Sequence, residues 1–273
     1  MPAYRVMSQN LRYDTSGVNA LEIRGPRLSW LLDKYRPDTI GFQEATPQWM
    51  GWLRGNLAGY IGVGVGRDNG RDKGEFSPVF YRADRFSLKD GGTFWLSETP
   101  DRVSGPAWSA ACTRICTWAL LEDKQAGLFL HMNTHTDHVS VEASCRGASL
   151  ILSRLAALRE KYGPIPAVVT GDFNGEEHSS VYAVMTDPAS PVADSKYLAA
   201  RQVNACGSFH NFLKVDVSKH TPIDYCFVTP DTLDVRSYEV VTENPGGGYV
   251  SDHYAIFALL EAKQAGLAPG GQI

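Results

Sequence analysis

The sequence predicts a single α/β domain. Apolar runs with strand character alternate with segments whose apolar residues recur at helical spacing. The 273 residues contain no internal repeat, low-complexity segment or domain-scale linker. We therefore expect one domain over residues 1–264, followed by a flexible C-terminal tail at 265–273 that is rich in Gly and Pro.

Helical spacing is strongest at residues 140–162, and Gly163 and Pro164 then stop the pattern. A second helix is predicted at 26–35, because Leu28, Leu31, Leu32 and Tyr35 have helical spacing, and Pro37 forbids its continuation. In chain order, the remaining predicted helices are residues 46–57, which open on an N-cap and a proline, 179–185 and 192–200.

Strands account for most of the remaining chain. Residues 167–169 are apolar on consecutive positions, which is typical of a strand buried on both faces. The polar end of such a strand must emerge at an edge of the sheet, where sites form. The predicted strands are residues 4–13, 39–44, 59–66, 76–82, 86–96, 110–122, 127–136, 167–172, 223–228, 235–241 and 253–260.

The composition is that of an ordinary globular protein, with 43% hydrophobic and 21% charged residues. No stretch approaches the roughly 20 apolar residues that cross a bilayer, and the first residues lack a secretory signal. We expect a cytoplasmic protein without membrane contact. Cys112 and Cys116 have no matching second pair, so the five cysteines are predicted to be reduced core thiols rather than zinc ligands.

The net charge of the chain limits the classes of substrate that it is expected to bind. The formal net charge is −4, and the chain has no lysine or arginine run, so long duplex DNA is not an expected substrate. The loop from Arg67 to Glu75 mixes both charge signs with glycine, and it is either a solvated hairpin tip or a substrate-facing loop. Arg114 lies inside an apolar run, where its side chain either points outward or is paired.

The ends of several predicted strands carry polar side chains. After residues 167–169, Gly171 lets the chain turn, so Asp172 and Asn174 point to the same side. That segment alone is equally consistent with an ordinary turn, and a lone Glu44 with a helix-terminus charge. The full set is Asn10, Glu44, Asn133, His135, Asp172, Asn174, Asp224, Asp252 and His253.

This set is rich in oxygen ligands, has two histidines and contains no cysteine. Such ligands suit a hard divalent cation such as Mg²⁺ or Mn²⁺. Histidine and asparagine donors can neutralise the charge that grows on a phosphoryl oxygen during displacement. No Gly-x-Ser-x-Gly elbow is present, so serine-type covalent catalysis is the weaker hypothesis.

Five motifs together resemble the endonuclease/exonuclease/phosphatase superfamily, which includes DNase I, exonuclease III-type repair enzymes, sphingomyelinases, inositol polyphosphate 5-phosphatases and the nocturnin/deadenylase branch. They occur in that superfamily's order and span nearly the whole chain; further segments, such as Gly66-Arg-Asp-Asn-Gly70 and Thr113-Arg114, resemble a bacterial subgroup. The resemblance implies a four-layer αββα sandwich of two mostly antiparallel sheets with a site at one end. The motifs are Gln43-Glu44, Asn133-Thr-His135, Gly171-Asp172-Phe-Asn174, Ile223-Asp224-Tyr225 and Ser251-Asp252-His253.

The resemblance also implies roles at the centre of the site. Glu44 is expected to be the principal metal ligand, with Asn10 close to it and Asp252 assisting. Asp172 is expected to orient or deprotonate the attacking water, and Asn174 to hold that water or the developing oxyanion.

Further residues are expected to contact the substrate. The resemblance places His135 and His253 against the scissile phosphate, and Asp224 is expected to polarise one of these two histidines. Arg114 and Tyr81 are assigned to the rim. Arg67 and Asn133 complete the expected substrate-binding set.

The predicted activity is hydrolysis of a phosphate ester by in-line attack of water, without a covalent enzyme intermediate. A compact anionic substrate, such as a nucleotide, a short oligonucleotide or a sugar or inositol phosphate, suits the acidic chain, and a monomer is expected. A single-strand or repair-type nuclease and a catalytically idle binding scaffold are the alternatives, and the choice between diester and monoester stays open. So does the role of Asp137 and His138, which are either a supporting pair or plain loop residues.

Overall fold

The computed structural model describes residues 2–263, so the tail predicted at 265–273 lies outside the described residues. Within residues 2–263 the chain forms thirteen strands. In order they are β1 (Ala3–Asn10), β2 (Thr39–Gln43), β3 (Tyr60–Val63), β4 (Val79–Arg82), β5 (Phe86–Trp95), β6 (Ile115–Asp123), β7 (Gly127–His135), β8 (Ala167–Asp172), β9 (Ala193–Asp194), β10 (Gln202–Val203), β11 (Asp224–Val228), β12 (Leu233–Val241) and β13 (Ala255–Ala262).

The same part of the chain contains five α-helices and three short 3₁₀ turns. None of the helices between residues 2 and 263 combines the length and apolar character needed to span a membrane. The helices are α1 (Leu21–Tyr35), α2 (Pro47–Asn56), α3 (Val141–Tyr162), α4 (Ser180–Met185) and α5 (Ser195–Leu198), and the 3₁₀ turns are Gly17–Asn19, Val217–Lys219 and Pro245–Gly247.

The strands form two sheets. The first has the order β10-β12-β13-β1-β2-β4-β3, and the second has the order β5-β6-β7-β8-β11-β9. Among the described strands, β1–β2, β7–β8 and β10–β12 pair in parallel, and the other neighbours pair antiparallel. The predicted pair of mostly antiparallel sheets is therefore confirmed.

Three separate apolar clusters show that the layers are stacked as predicted. One cluster fills the space between the sheets, with Tyr4 of β1 and Phe129 of β7 among its members. A second packs α1 and α2 on the outer face of the first sheet, and a third packs α3 and α4 on the outer face of the second. Helices thus cover both outer faces, and the four-layer αββα sandwich is confirmed.

Local differences from the predicted elements have physical causes. Helix α1 starts at Leu21 rather than residue 26, because Asp14 Oδ1 accepts the Leu21 N–H (2.9 Å), and the helix then runs through Pro26. The segment at 192–200 is mainly β9 and the single turn α5. Strand β6 begins only at Ile115, since the carboxylate of Asp137 binds the N–H groups of the loop residues before it.

The alternation of side chains along each strand positions the site. Along β1, the inward face carries Tyr4 and Val6 and then ends on Asn10. Along β8, the inward face passes from Val168 through Thr170 to Asp172. The space between the sheets is therefore apolar at one end and polar at the other, and the site lies at the polar end.

Candidate active site

A pocket of about 470 Å³ opens at the polar end of the sandwich. It is lined by side chains from strand ends that are far apart in sequence. Seven of the predicted site residues meet there, namely Glu44, Arg67, Arg114, His135, Asp172, Asn174 and His253. The central expectation, that these groups converge on one pocket, agrees with the structure.

The amide of Asn10 joins the two carboxylates of the pocket. Its Nδ2 donates to Glu44 Oε1 (3.0 Å) and to Asp172 Oδ2 (2.9 Å). Its Oδ1 accepts the main-chain N–H of Arg12 (2.8 Å), which fixes the orientation of the amide. Asn10 therefore lies beside Glu44 as expected, but its nitrogen rather than its oxygen faces the two carboxylates, so it orients them.

Three residues of the pocket have left-handed backbone conformations, namely Arg12, Glu44 and Asn174. Glu44 has φ 54° and Asn174 has φ 49°, a region that non-glycine residues seldom adopt and that costs free energy. Hydrogen bonds between Ala45 and Phe76 hold the chain just after Glu44, and Asp172 Oδ1 accepts the Asn174 N–H (2.9 Å). These bonds offset the strain at both strand ends.

His253 is held by a carboxylate on its far side. Its Nδ1 lies 2.8 Å from Asp224 Oδ2, which also accepts the Ser208 hydroxyl (2.6 Å). Burial alone would lower the pKa of His253, but the neighbouring carboxylates of Asp224 and Asp172 raise it to about 10. The imidazolium form is thus favoured, with Nε2 3.9 Å from Asp172 Oδ2.

Asp172 and His135 have pKa values shifted in opposite directions. Burial, followed by the adjacent Asp224 carboxylate, raises the pKa of Asp172 to about 7. Burial, reinforced by the positive charges of Arg114 and Arg67, holds the pKa of His135 well below its usual value. His135 is therefore neutral, and its Nε2 lies 2.9 Å from Asn174 Nδ2.

The donor set fits a divalent cation. Glu44, His135 and Asp172 each offer one ligand atom, and these atoms lie within 4.8 Å of one another. Asp172, Asp224 and His253 form a second such group, but there the raised pKa keeps the imidazole positively charged, and an imidazolium cannot bind a metal ion. Two buried carboxylates and a neutral imidazole suit a hard divalent ion better than structural zinc, which prefers cysteine.

Arginines form one wall of the pocket, and each is paired with a carboxylate. Arg67 Nη1 donates to Glu75 Oε2 (2.6 Å). Arg114 Nε lies 3.4 Å from Asp137 Oδ2, and its Nη2 lies 3.0 Å from His138 Nδ1. Both arginines predicted to bind substrate line the pocket, and the loop from residue 67 to 75 therefore faces it.

Asp137 supports this wall. Its carboxylate accepts the Arg114 side chain and four main-chain N–H groups on both sides of the pocket wall. Burial would raise the pKa of Asp137, but these donors and the charge of Arg114 lower it. The sequence left the roles of Asp137 and His138 open, and the structure gives them different positions. Asp137 holds the neighbouring loops together, whereas His138 lines the pocket. The main-chain donors belong to Ala111, Cys112, Val139 and Ser140.

Two predicted substrate-binding residues are misplaced, and we correct them. Tyr81 is buried between the sheets and pairs with Thr39, at the opposite end of β2 from Glu44. Asn133 is fully buried, and its amide donates to the carbonyls of Phe42 and Pro78 and accepts from the side chain of Gln43. Both lie too deep in the sandwich to reach a substrate.

Two further predicted residues, Asp224 and Asp252, do not line the pocket but contact residues that do. Asp224 reaches it only through His253, as expected for a polarising group. Asp252 is buried, with Oδ2 3.5 Å from Arg12 Nε, and it belongs to neither group of potential metal ligands in the described chain. Its Oδ1 lies 4.0 Å from His253 Nε2, so Asp252 lies beside both Arg12 and His253.

Other residues line the pocket without having been predicted. Arg12 and Tyr13 lie two and three residues after Asn10, and that proximity was the available signal. Glu75 belongs to the charged loop and pairs with Arg67. Phe209 packs against the imidazole of His253 with ring centroids 4.9 Å apart, and nothing in its local sequence marks it, since only the tertiary fold brings it there.

Known proteins share both this sequence and this architecture. A structure of an endonuclease/exonuclease/phosphatase from Bacteroides vulgatus is 38% identical, with a TM-score of 0.90, and covers 96% of this chain and 100% of its own. A mannosyl-6-phosphatase from Bacteroides thetaiotaomicron is 31% identical, with a TM-score of 0.89 and coverage of 94% and 99%. The catalytic domain of human Nocturnin, at 21% identity, TM-score 0.74 and coverage of 96% and 95%, shares the fold.

No curated protein matches the sequence. The sequence model of the Endonuclease/Exonuclease/phosphatase family, however, matches residues 19–253, which include most of the pocket. The motifs, the four-layer sandwich and the site at its polar end agree with that match. The chain therefore belongs to the endonuclease/exonuclease/phosphatase family, whose members are hydrolases acting on phosphate esters.

Proposed function

We propose that this protein is a phosphoesterase that depends on Mg²⁺ or Mn²⁺ and hydrolyses a phosphate ester by in-line attack of water. The observation that supports it most directly is the convergence of ligand atoms from Glu44, His135 and Asp172 within 4.8 Å of one another. A buried set of this kind, in a pocket that also holds arginine and imidazolium groups, suits a phosphoryl group with its counterion.

The proposed roles follow from the hydrogen bonds. Glu44 is the principal metal ligand, and a bound divalent cation supplies Lewis-acid stabilisation of a phosphoryl oxygen. Asp172, with its raised pKa, takes the proton of the attacking water, and Asn174 helps to hold that water. His253 in its charged form donates to the phosphate, and Asp224 maintains that charge.

The substrate is proposed to be a compact phosphate ester. The arginines of the pocket are already neutralised by carboxylates, and the chain carries a net charge of −4, so an extended polyanion is poorly matched. The name of the relative from Bacteroides thetaiotaomicron, a mannosyl-6-phosphatase, favours a sugar phosphate among the compact candidates. A nucleotide or short oligonucleotide is the second candidate, because the pocket is an open cleft rather than a closed cavity.

We further propose a monomeric cytoplasmic enzyme. The five free cysteines support a reducing compartment. An idle scaffold is disfavoured, because the metal-binding and base positions are all filled by residues able to do that chemistry.

Two variants test the assignment. Asp172→Asn should lose several orders of magnitude in kcat while still binding metal, because the base is lost but an oxygen ligand remains. Glu44→Ala should weaken Mg²⁺ binding itself. Isothermal calorimetry with Mg²⁺ measures the second effect, and turnover of a chromogenic monoester and a chromogenic diester measures the first.

The exposed Asp234→Asn variant serves as the matched control and should behave as the unmodified protein in both assays. Equal activity of Asp172→Asn and the unmodified protein would refute the proposed roles. Failure of the unmodified protein to bind any divalent cation would refute the metal dependence.

A further inference from the structure

Helix α1 contains a fully buried arginine that forms no part of the pocket wall. The side chain of Arg24 has no solvent exposure, and burial lowers its pKa to about 10. Burying a charged group is costly unless its hydrogen-bonding capacity is filled. All five of its hydrogen bonds go to main-chain carbonyls, from Nε to Asn19 (2.5 Å), from Nη1 to Leu11 and Val250 (3.1 Å for the latter), and from Nη2 to Arg12 and Tyr13 (both 3.1 Å).

Three of those carbonyls are consecutive. They belong to Leu11, Arg12 and Tyr13, which we call the 11–13 loop, and this loop leaves β1 directly after Asn10. A second buried side chain fastens the same loop, since Trp49 Nε1 donates to the Arg12 carbonyl (2.9 Å). The Arg24 guanidinium lies 5.0 Å from the centre of the Trp49 ring. Two elements of the outer helical layer, α1 and α2, therefore hold one loop in place.

The loop needs this support because its backbone is strained. Arg12 has φ 52°, in the left-handed region that favours glycine. Close packing of α1 on α2 lets both side chains reach the loop, because a Cβ added at Gly25 would lie 2.5 Å from the ring of Trp52. The bond from the Arg12 N–H to Asn10 Oδ1 is the one local contact described for this turn, and the hydrogen bonds from Arg24 and Trp49 add support from the helical layer.

The loop in turn orients the proposed metal ligands. The Tyr13 N–H donates to Glu44 Oε2 (2.9 Å). The Arg12 N–H donates to Asn10 Oδ1, and this bond turns the nitrogen of the Asn10 amide toward Glu44 and Asp172. Both contacts depend on where the 11–13 loop places its main-chain N–H groups.

We propose that Arg24 is a positioning residue of the metal site, which acts through the 11–13 loop to hold Glu44 and Asn10 in their binding geometry. This proposal rests on the proposed metal-dependent function. A lysine cannot take over the role, because a single ammonium group cannot bind carbonyls that surround a planar guanidinium. Contacts that orient metal ligands from behind commonly change metal affinity by about 10–100-fold.

Arg85 provides a matched control at the other end of β1. It is also largely buried and binds Asp38, Asp123 and the carbonyl of Ala3, with its guanidinium 4.8 Å from the ring of Tyr4. Arg85→Lys should lower the melting temperature as a purely structural arginine does, and leave the pocket unchanged.

The test compares Arg24→Lys with Arg85→Lys by calorimetric titration of Mg²⁺ and by melting temperature. We expect Mg²⁺ affinity to fall by about 10-fold or more in Arg24→Lys and to stay unchanged in Arg85→Lys, even where both melt earlier. Equal Mg²⁺ affinity in Arg24→Lys and the unmodified protein would overturn the proposal while leaving the metal site itself intact. Loss of affinity in both variants would also overturn it, because the effect would then be general destabilisation.

A milder variant keeps the proposal testable where Arg24→Lys fails to fold. Trp49→Phe removes one hydrogen bond to the Arg12 carbonyl while conserving most of the ring. It should weaken Mg²⁺ binding in the same direction and by a smaller factor, and unchanged affinity would count against the proposal. If the unmodified protein binds no divalent cation, the failure lies with the proposed function rather than with Arg24.

Discussion

The two ends of the space between the sheets are formed by the same strands but stabilised by different interactions. At the closed end, Tyr4, Phe129 and Val168 fill the volume by apolar packing, with the rings of Tyr4 and Phe129 4.4 Å apart. At the open end, Asn10 and Asp172 occupy the same inward faces and are held by directional hydrogen bonds. Packing tolerates exchange of one apolar group for another, whereas each polar group at the open end needs a particular partner.

The largest expected effect is at the polar end. Asp224→Asn removes the negative charge that keeps His253 protonated, while the shape of the side chain is conserved. We expect kcat to fall by about 10²–10⁴-fold, as for other histidines deprived of a carboxylate partner. Turnover of a chromogenic phosphate ester measures this, with circular dichroism to confirm the fold. Activity within a few fold of the unmodified protein would mean that Asp224 does not act through His253.

At the apolar end, the expected damage is to stability alone. Phe129→Ala removes a fully buried ring that packs between the sheets, and it should lower the free energy of unfolding by about 3–5 kcal/mol. Urea denaturation measures the loss. The KM of the folded variant should not change. A raised KM would show that packing at the apolar end affects substrate binding at the polar end, and it would contradict the separation of the two roles.

Between the two ends, His131 should give the protein a defined acid sensitivity. It is fully buried between the hydroxyls of Thr39 and Thr170, at 2.6 and 2.8 Å, and burial lowers its pKa to about 3. The unfolded chain, with a pKa near 6.5, takes up a proton that the native state excludes. The contribution of neutral, buried His131 to the free energy of unfolding is therefore fully present above pH 6.5. It is lost as pH falls toward 3, at up to about 1.4 kcal/mol per pH unit.

His131→Gln should therefore flatten the pH dependence of the free energy of unfolding below pH 6.5, although it destabilises the protein at neutral pH. Urea denaturation at several pH values between 7 and 4 measures both effects. The exposed His178→Gln variant is the control and should leave the slope unchanged. Identical slopes for all three proteins would contradict a buried neutral His131.

The smallest effect is expected at Tyr81, the residue that was misplaced at the rim. Tyr81→Phe should lower stability by about 1 kcal/mol through loss of the hydrogen bond between its hydroxyl and the Leu88 backbone. Its kcat and KM should stay within about 2-fold of the unmodified protein, because Tyr81 lies among the core residues. A marked rise in KM would show that Tyr81 affects substrate binding, and that the polar end of the space between the sheets extends as far as β4.

The sequence predicted the site best where local periodicity decides the geometry. Two-residue alternation places Asp172 on the inward face at the end of a buried strand, and the structure agrees. The motifs around Glu44 and His253 identified the remaining groups by resemblance. Tyr81 could not be placed this way, because β4 runs antiparallel to β2 and carries its later residues to the opposite end.

Other features depend on tertiary contacts that no local pattern shows. Pro26 suggested a helix start, yet α1 is anchored earlier by the side chain of Asp14. Arg12 and Tyr13 reach the pocket because Arg24 and Trp49 fix their backbone from another layer. Phe209 arrives from a loop whose only sheet-like contact is an isolated bridge to His253.

The carboxylate of Asp137 has a consequence for redesign. It connects the segment before β6, at Ala111 and Cys112, to the residues just before α3, at Val139 and Ser140, and it also binds Arg114. These two stretches are held together by one carboxylate despite the distance between them in sequence. A chimera that imports new selectivity from a relative should exchange both stretches together, since a graft of either alone would leave the Asp137 carboxylate without some of its five hydrogen-bond donors.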